Sequence, residues 1–220
     1  MLSSTEITMI LEGLKDSLYM TVFATVLGYV IGLPWGIVLT VSGKDGLRPN
    51  RGLYHVLDII TNIMRSVPFL ILLIIVIPVT RAIVGVTYGA TAMIVPLTIS
   101  AAPFIARMVE SSLNEVDKGV IEASQAMGAG NLQIIFKVLI GEARVSLIAG
   151  ATITVGTILG YSAMAGTLGG GGLGDIAIRY GYHRYQANIL WITVILLVIL
   201  MQIFQLIGTL ISNRLDRRKK

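Results

Sequence analysis

The chain contains no cysteine, which excludes disulfides, thiol nucleophiles, thiolate zinc sites and iron–sulfur ligation. Its two histidines, His55 and His183, are too few and too far apart to suggest a metal centre. Charge is scarce as well. Only 13% of the 220 residues are Asp, Glu, Lys or Arg, where soluble domains carry about 25%. With 55% hydrophobic residues and a mean hydropathy of +0.82, the composition argues against an ordinary soluble enzyme.

Five long stretches lack any charged residue: 17–43, 66–80, 82–106, 145–174 and 185–213. A membrane-crossing helix needs about 20 mainly apolar residues. We therefore expect an all-α membrane protein with five transmembrane helices, at about 17–41, 57–79, 88–108, 145–168 and 188–211. Segments this long must be helical in a bilayer, because unpaired backbone groups are too costly there. The first is not read as a cleaved signal peptide. Residues 1–16 carry Glu6, Glu12 and Asp16 against Lys15, whereas a signal peptide opens on a basic region.

That acidic start places the N-terminus outside. The inner segments then hold Lys44, Arg48, Arg51, Arg107, Lys118, Lys137, Arg144, Arg214, Arg217, Arg218, Lys219 and Lys220. The outer side holds Lys15, Arg81, Arg179 and Arg184. This 12:4 split follows the positive-inside rule and puts the C-terminus in the cytoplasm. The net charge of +5 is accounted for by lipid headgroups and orientation, so nucleic acid is not implied.

Small residues and prolines pattern the spans. Gly28, Gly32 and Gly36 repeat every four residues, as do Gly156 and Gly160. Such spacing lets two helix backbones approach closely, within one subunit or at a dimer seam. Pro34, Pro68, Pro78, Pro96 and Pro103 interrupt three spans and are expected to kink them. Arg65 is the charge deepest within a span. It can snorkel to the interface or serve the pathway or a subunit contact. No Asp or Glu falls away from the ends of the spans, which disfavours a proton-driven carrier. Uphill transport would then draw its energy from another subunit.

Two loops complete the pattern. The run Gly169-Gly170-Gly171-Gly172-Leu173-Gly174 matches a dinucleotide fingerprint formally. It follows a membrane segment rather than a strand, so a flexible turn is expected instead. Residues 107–144 form the longest charged interval. Within it, Asp117 can cap a helix carrying Val120, Ala123, Ser124 and Met127 on one face, with Glu122 in the first turn. Gly128 stops that helix, and Asn131 can cap a second one. A short helix of this kind can dock into a partner's groove.

Glu122-Ala123-Ser124-Gln125-Ala126-Met127-Gly128 resembles the EAA motif of ABC-transporter permeases, whose loop is a coupling helix seated in the ATPase subunit. Val138, Ile140 and Gly141 stand where that motif has Ile, Leu and Pro. Arg65-Ser66-Val67-Pro68-Phe69 is similar to a segment of amino-acid permeases. Ala102-Pro103-Phe104-Ile105-Ala106-Arg107-Met108-Val109-Glu110, Gly160-Tyr161-Ser162-Ala163-Met164 and the glycine run resemble the methionine-importer subfamily.

The resemblance implies one permease domain over residues 1–220, with its coupling loop at about 110–144. It implies a homodimer in the cell membrane, two cytoplasmic ATPase subunits and an extracytoplasmic substrate-binding lipoprotein. Coupling to the ATPase would fall to Glu122, Ala123, Ser124, Met127 and Gly128. Met164, Tyr161, Ser162 and Arg65 would line the translocation pathway. The chain has no Gly-x-x-x-x-Gly-Lys-Ser/Thr phosphate loop. It is therefore expected to be no enzyme and to hold no cofactor, with ATP and magnesium on the partner ATPase. Alternatives are import of another small amino acid or a methionine-containing peptide, a sodium-coupled carrier, or a non-transporting scaffold.

Overall fold

The computed structural model describes residues 3–216. The basic residues Arg217, Arg218, Lys219 and Lys220 used in the charge count lie outside them. Ser3 opens the first helix: its hydroxyl accepts from the Glu6 N–H at 3.3 Å, while the Glu6 carboxylate accepts from the Ser3 N–H at 2.7 Å. The helix, α1, runs Ser4–Ser42, 39 residues. At 1.5 Å per residue it is about 58 Å long, well beyond the hydrocarbon thickness of a bilayer. It thus includes the acidic start that the expected boundary at residue 17 left out.

The expected second span is not one helix. It is divided into α2 (Arg51–Ser66), α3 (Phe69–Ile75) and α4 (Ile77–Val84), with a bend of 103° between α2 and α3. Pro68 sits at that break, and Val67 before it is extended, as a residue preceding proline prefers. Pro78 occupies the first turn of α4, where its missing N–H costs nothing. By contrast Pro34 lies within α1, and Pro96 and Pro103 lie within α5 (Ala90–Asn114), and neither helix is interrupted there.

The remaining elements are α6 (Lys118–Ala126), the single turn α7 (Asn131–Gln133), α8 (Ile140–Ala165), α9 (Gly172–Ile176) and α10 (Ala187–Leu215). A π-helical turn, Ile134–Leu139, joins α7 to α8 without a break, and α8 continues through Gly141. The absent proline there leaves the helix whole. A second π turn, Ala177–Tyr182, follows α9.

The central helix is α5, buried against α1 over most of its length. A Cβ on Gly32 would lie 2.6 Å from the Ala102 carbonyl oxygen, and one on Gly36 2.5 Å from that of Ala106. The glycine stripe of α1 is therefore a packing surface within the subunit, which decides between the two expectations for it. Gly156 packs likewise on the Met201 thioether of α10, whereas Gly160 faces open space.

Backbone contacts sort the ends of the bundle. Gly89 donates to the Gly169 carbonyl at 2.8 Å, so the start of α5 and the end of α8 share one end. There the glycine turn is packed rather than loose. Gly170, Gly172 and Leu173 are buried, and the Leu173 N–H donates to the Ser17 hydroxyl at 2.9 Å. At the opposite end, α6 lies beside the α1–α2 loop. Among the described residues, α1, α5 and α10 are long and apolar enough to cross a membrane, and the bent α2–α3 pair brings the count to four at most. The expected five is not reached on length and composition: the second span is broken, and α8 is not among the helices that qualify. α10 leaves Trp191, Ile195, Val198 and Leu206 exposed along its length, as a helix in contact with lipid does.

Candidate coupling loop and translocation face

α5 hands over to α6 through Glu115, Val116 and Asp117. The Asp117 carboxylate accepts from the Gly119 N–H at 2.7 Å, which is the expected cap. Because α6 begins at Lys118, Glu122 lies in its second turn rather than its first. It is exposed and gains little from the helix terminus, whose influence fades within a turn. At the far end Gly128 has φ +81°, a left-handed conformation that costs an L side chain about 1–2 kcal/mol. Its N–H donates to the Gln125 carbonyl at 2.9 Å, and Ala129 donates to Ser124 at 3.1 Å. Gly130, not Asn131, is the residue before α7. Its N–H donates to the Gln133 side chain at 3.0 Å, so a glutamine serves where an asparagine cap was expected.

The expected face of α6 divides in two. Val120, Ala123 and Met127 are exposed, Met127 at 81%. Ser124 is buried, with its hydroxyl donating to the Val120 carbonyl at 2.7 Å. Leu132 and Phe136 are exposed just beyond, so one end of the bundle presents an uncovered apolar patch. Behind α6 lies a cavity of about 530 Å³, with Leu39, Lys44, Tyr54, Glu110, Lys118 and Glu122 in its lining. Lys118 spans its mouth to Asp45 at 3.0 Å. The hydrogen bond from Lys118, and then its charge, holds the Asp45 carboxyl below the usual aspartate range.

The four expected pathway residues are not brought to one place. Met164 is 46% exposed on α8, in line with exposed Ala149, Ile153 and Gly160. Tyr161 is half-buried, and its ring stacks on Phe69 of α3 at 4.5 Å between centroids. Ser162 is buried, and its hydroxyl donates to the Leu159 carbonyl at 2.8 Å. It does not reach an open face. Arg65 is exposed at the end of α2 and forms no ion pair among the described residues. One cluster escaped the sequence reading altogether. Asp58 and Arg107 fall at the expected ends of spans and Glu110 just beyond, yet the fold joins them in an ion-paired group. The only sequence signal was three charges bordering apolar runs.

Comparison with known proteins agrees with this geometry. The probable D-methionine transport system permease protein of Vibrio cholerae is 50% identical over 96% of this chain and 93% of its own length. The methionine import system permease protein of Bacillus subtilis is 43% identical over 82% of each chain. A solved inward-facing methionine ABC transporter matches with a TM-score of 0.97 and 47% identity, covering 98% of this chain and all of that one. Residues 19–220 match the model of the binding-protein-dependent transport system inner membrane component. With the family model matched over residues 19–220 and relatives at 43–50% identity along most of the chain, the chain belongs to the binding-protein-dependent transport system inner membrane component family, the permeases of ABC importers.

Proposed function

We propose that the chain is the permease subunit of an ATP-driven methionine importer. The observation that carries this is α6, a capped helix whose Val120, Ala123 and Met127 stand uncovered. Relatives named for methionine transport support the substrate. Two copies form the pathway, and each offers its α6 to one cytoplasmic ATPase subunit, with Leu132 and Phe136 widening the contact. A substrate-binding lipoprotein delivers methionine from the outer side. ATP and magnesium bind the ATPase, and this chain hydrolyses nothing itself.

In this reading residues 1–220 form a single membrane domain with five crossings: α1, the broken α2–α4 unit, α5, α8 and α10. The end bearing α6 is cytoplasmic. ATP binding draws the ATPase pair together and with it the two α6 helices, and the crossings open outward. Such a ligand shifts the equilibrium only by its differential affinity for the two states. Glu122, Ala123, Ser124, Met127 and Gly128 shape the ATPase contact, and Met164 stands at the pathway.

Co-expression with the ATPase and reconstitution in vesicles test the assignment. The expected result is a co-purifying complex that accumulates methionine only with ATP and the delivering protein. Accumulation without ATP, driven by a sodium gradient, would replace the reading. Preference for another amino acid would change its substrate alone.

A further inference from the structure

Arg107 and Glu110 lie in the Ala102–Glu110 segment singled out by resemblance, yet neither coupling nor translocation has used their charges. The Arg107 Nη2 lies 2.6 Å from Asp58 Oδ1 and 2.9 Å from Asn62 Oδ1, both on α2. Its Nη1 lies 2.7 Å from Glu110 Oε2 on its own helix. Tyr54 of α2 donates to the other Glu110 oxygen at 3.1 Å. Tyr54, Asp58 and Asn62 recur every four residues, so a single polar stripe of α2 faces α5.

The apolar surface of α2 is largely unpacked within the subunit. Among the described residues only Thr61 of α2 is buried, and Val56, Ile59, Ile60 and Ile63 are exposed. Glu110, in contrast, is 4% exposed, and a buried charge deprived of its partner is strongly destabilising. A planar guanidinium can meet acceptors on two helices at once, which a lysine ammonium cannot reproduce. The two helices joined here lead to different places. α5 continues within four residues into α6, and α2 continues through Arg65 and Pro68 into α3, whose Phe69 stacks on Tyr161 of α8.

We propose that Arg107, held by Asp58, Asn62 and Glu110, is the mechanical link that clamps α2 to the α6-proximal half of α5, so that displacement of α6 reaches the Arg65–Pro68 bend. Arg107 is a positioning residue for transport and touches neither nucleotide nor substrate. The cavity behind α6 gives that helix room to move, while the link keeps α2 from lagging. The inference rests on reading α6 as the ATPase contact.

The test uses the complete transporter in vesicles and reads methionine delivered per ATP hydrolysed. Arg107→Gln should assemble with the ATPase and hydrolyse ATP within about twofold of wild type, while the delivery ratio falls about tenfold, within the usual range of coupling energies. Arg107→Lys should recover part of the ratio. Asp58→Asn combined with Arg107→Gln should lose no more than Arg107→Gln alone, because members of one network are not additive. Should Arg107→Gln fail to assemble, Asn62→Ala decides: it removes one neutral contact, and a lowered ratio with normal assembly upholds the link. Uptake and hydrolysis falling in proportion, or an unchanged ratio in Arg107→Gln or Asn62→Ala, would overturn it. A wild-type complex showing no coupling would remove the ATPase-contact reading and the link with it, whereas normal wild-type coupling beside an unaffected Arg107→Gln removes the link alone.

Discussion

The rings of Phe69 and Tyr161 lie face to face, 4.5 Å between centroids and 1° from parallel. This pair ties the first turn of α3, just past the 103° bend, to the C-terminal end of α8. Tyr161 was expected to line the pathway on the resemblance of its segment, Gly160–Met164, and the stack gives its ring a packing contact within the subunit.

Tyr161→Phe should therefore leave transport and stability near wild type, and Tyr161→Ala should lower both. Aromatic pairs contribute about 0.5–1.5 kcal/mol beyond the area they bury. Thermal unfolding of the purified complex, measured beside methionine uptake, checks this. A loss in Tyr161→Phe as large as that in Tyr161→Ala would assign the role to the hydroxyl.

The orientation can be read directly in a chain without cysteine. Gly130→Cys places a thiol on the α6 side, where a Cβ has nothing within 4 Å. Tyr182→Cys places one on the exposed turn before α10, at the other end. In intact cells an impermeant reagent should label the second and spare the first. The reverse pattern would invert the proposed topology.

Glu122 and Gly128 are expected to act on the ATPase rather than on substrate. Gly128→Val puts a β-branched side chain at φ +81°, at a cost of about 1–3 kcal/mol for a strained backbone position. Assembly or substrate-stimulated hydrolysis should drop, with methionine binding to the delivering protein unchanged. Glu122→Lys reverses a charge on the lining of the cavity behind α6 and should weaken coupling. Normal transport in both variants would sink the assignment.

Met164 is exposed in the single subunit, on the same open face of α8 as Gly160. The expected outcome for Met164→Ala is a complex that assembles normally but hydrolyses ATP less tightly tied to substrate, or discriminates substrates less well. A flexible, polarisable thioether closes a gap against water in a way a methyl group cannot. Unchanged coupling and selectivity would leave Met164 as a lipid-facing residue.

The legible parts of this fold were those written in long apolar runs and in local chemistry. The runs at 82–106 and 185–213 became α5 and α10. Asp117 and Gly128 bounded α6 as their chemistry dictates, the one by accepting a backbone N–H and the other, lacking a Cβ, by adopting a left-handed φ. Prolines were less legible. Pro96 and Pro103 pass unbroken through the buried helix while Pro68 ends one, and tertiary packing makes that difference. The Arg107 group was hidden for another reason. Its members are 49 and 3 residues apart in sequence, and only the docking of α2 on α5 brings them together.

The glycine stripe of α1 has one more consequence. Facing Gly32 and Gly36 are carbonyl oxygens of α5, atoms that cannot step aside as a side chain would. Advancing α1 by one residue along its own screw, about 1.5 Å with a turn of about 100°, would bring Leu33 or Ile37 into a gap that admits only hydrogen. The two helices are keyed together like a shaft in its slot. With α2 clamped to the same α5, three helices make one stator-like block in each copy. In the proposed two-copy transporter, opening and closing are then expected at the seam between two such blocks, along the uncovered line of α8, rather than by rearrangement inside either one.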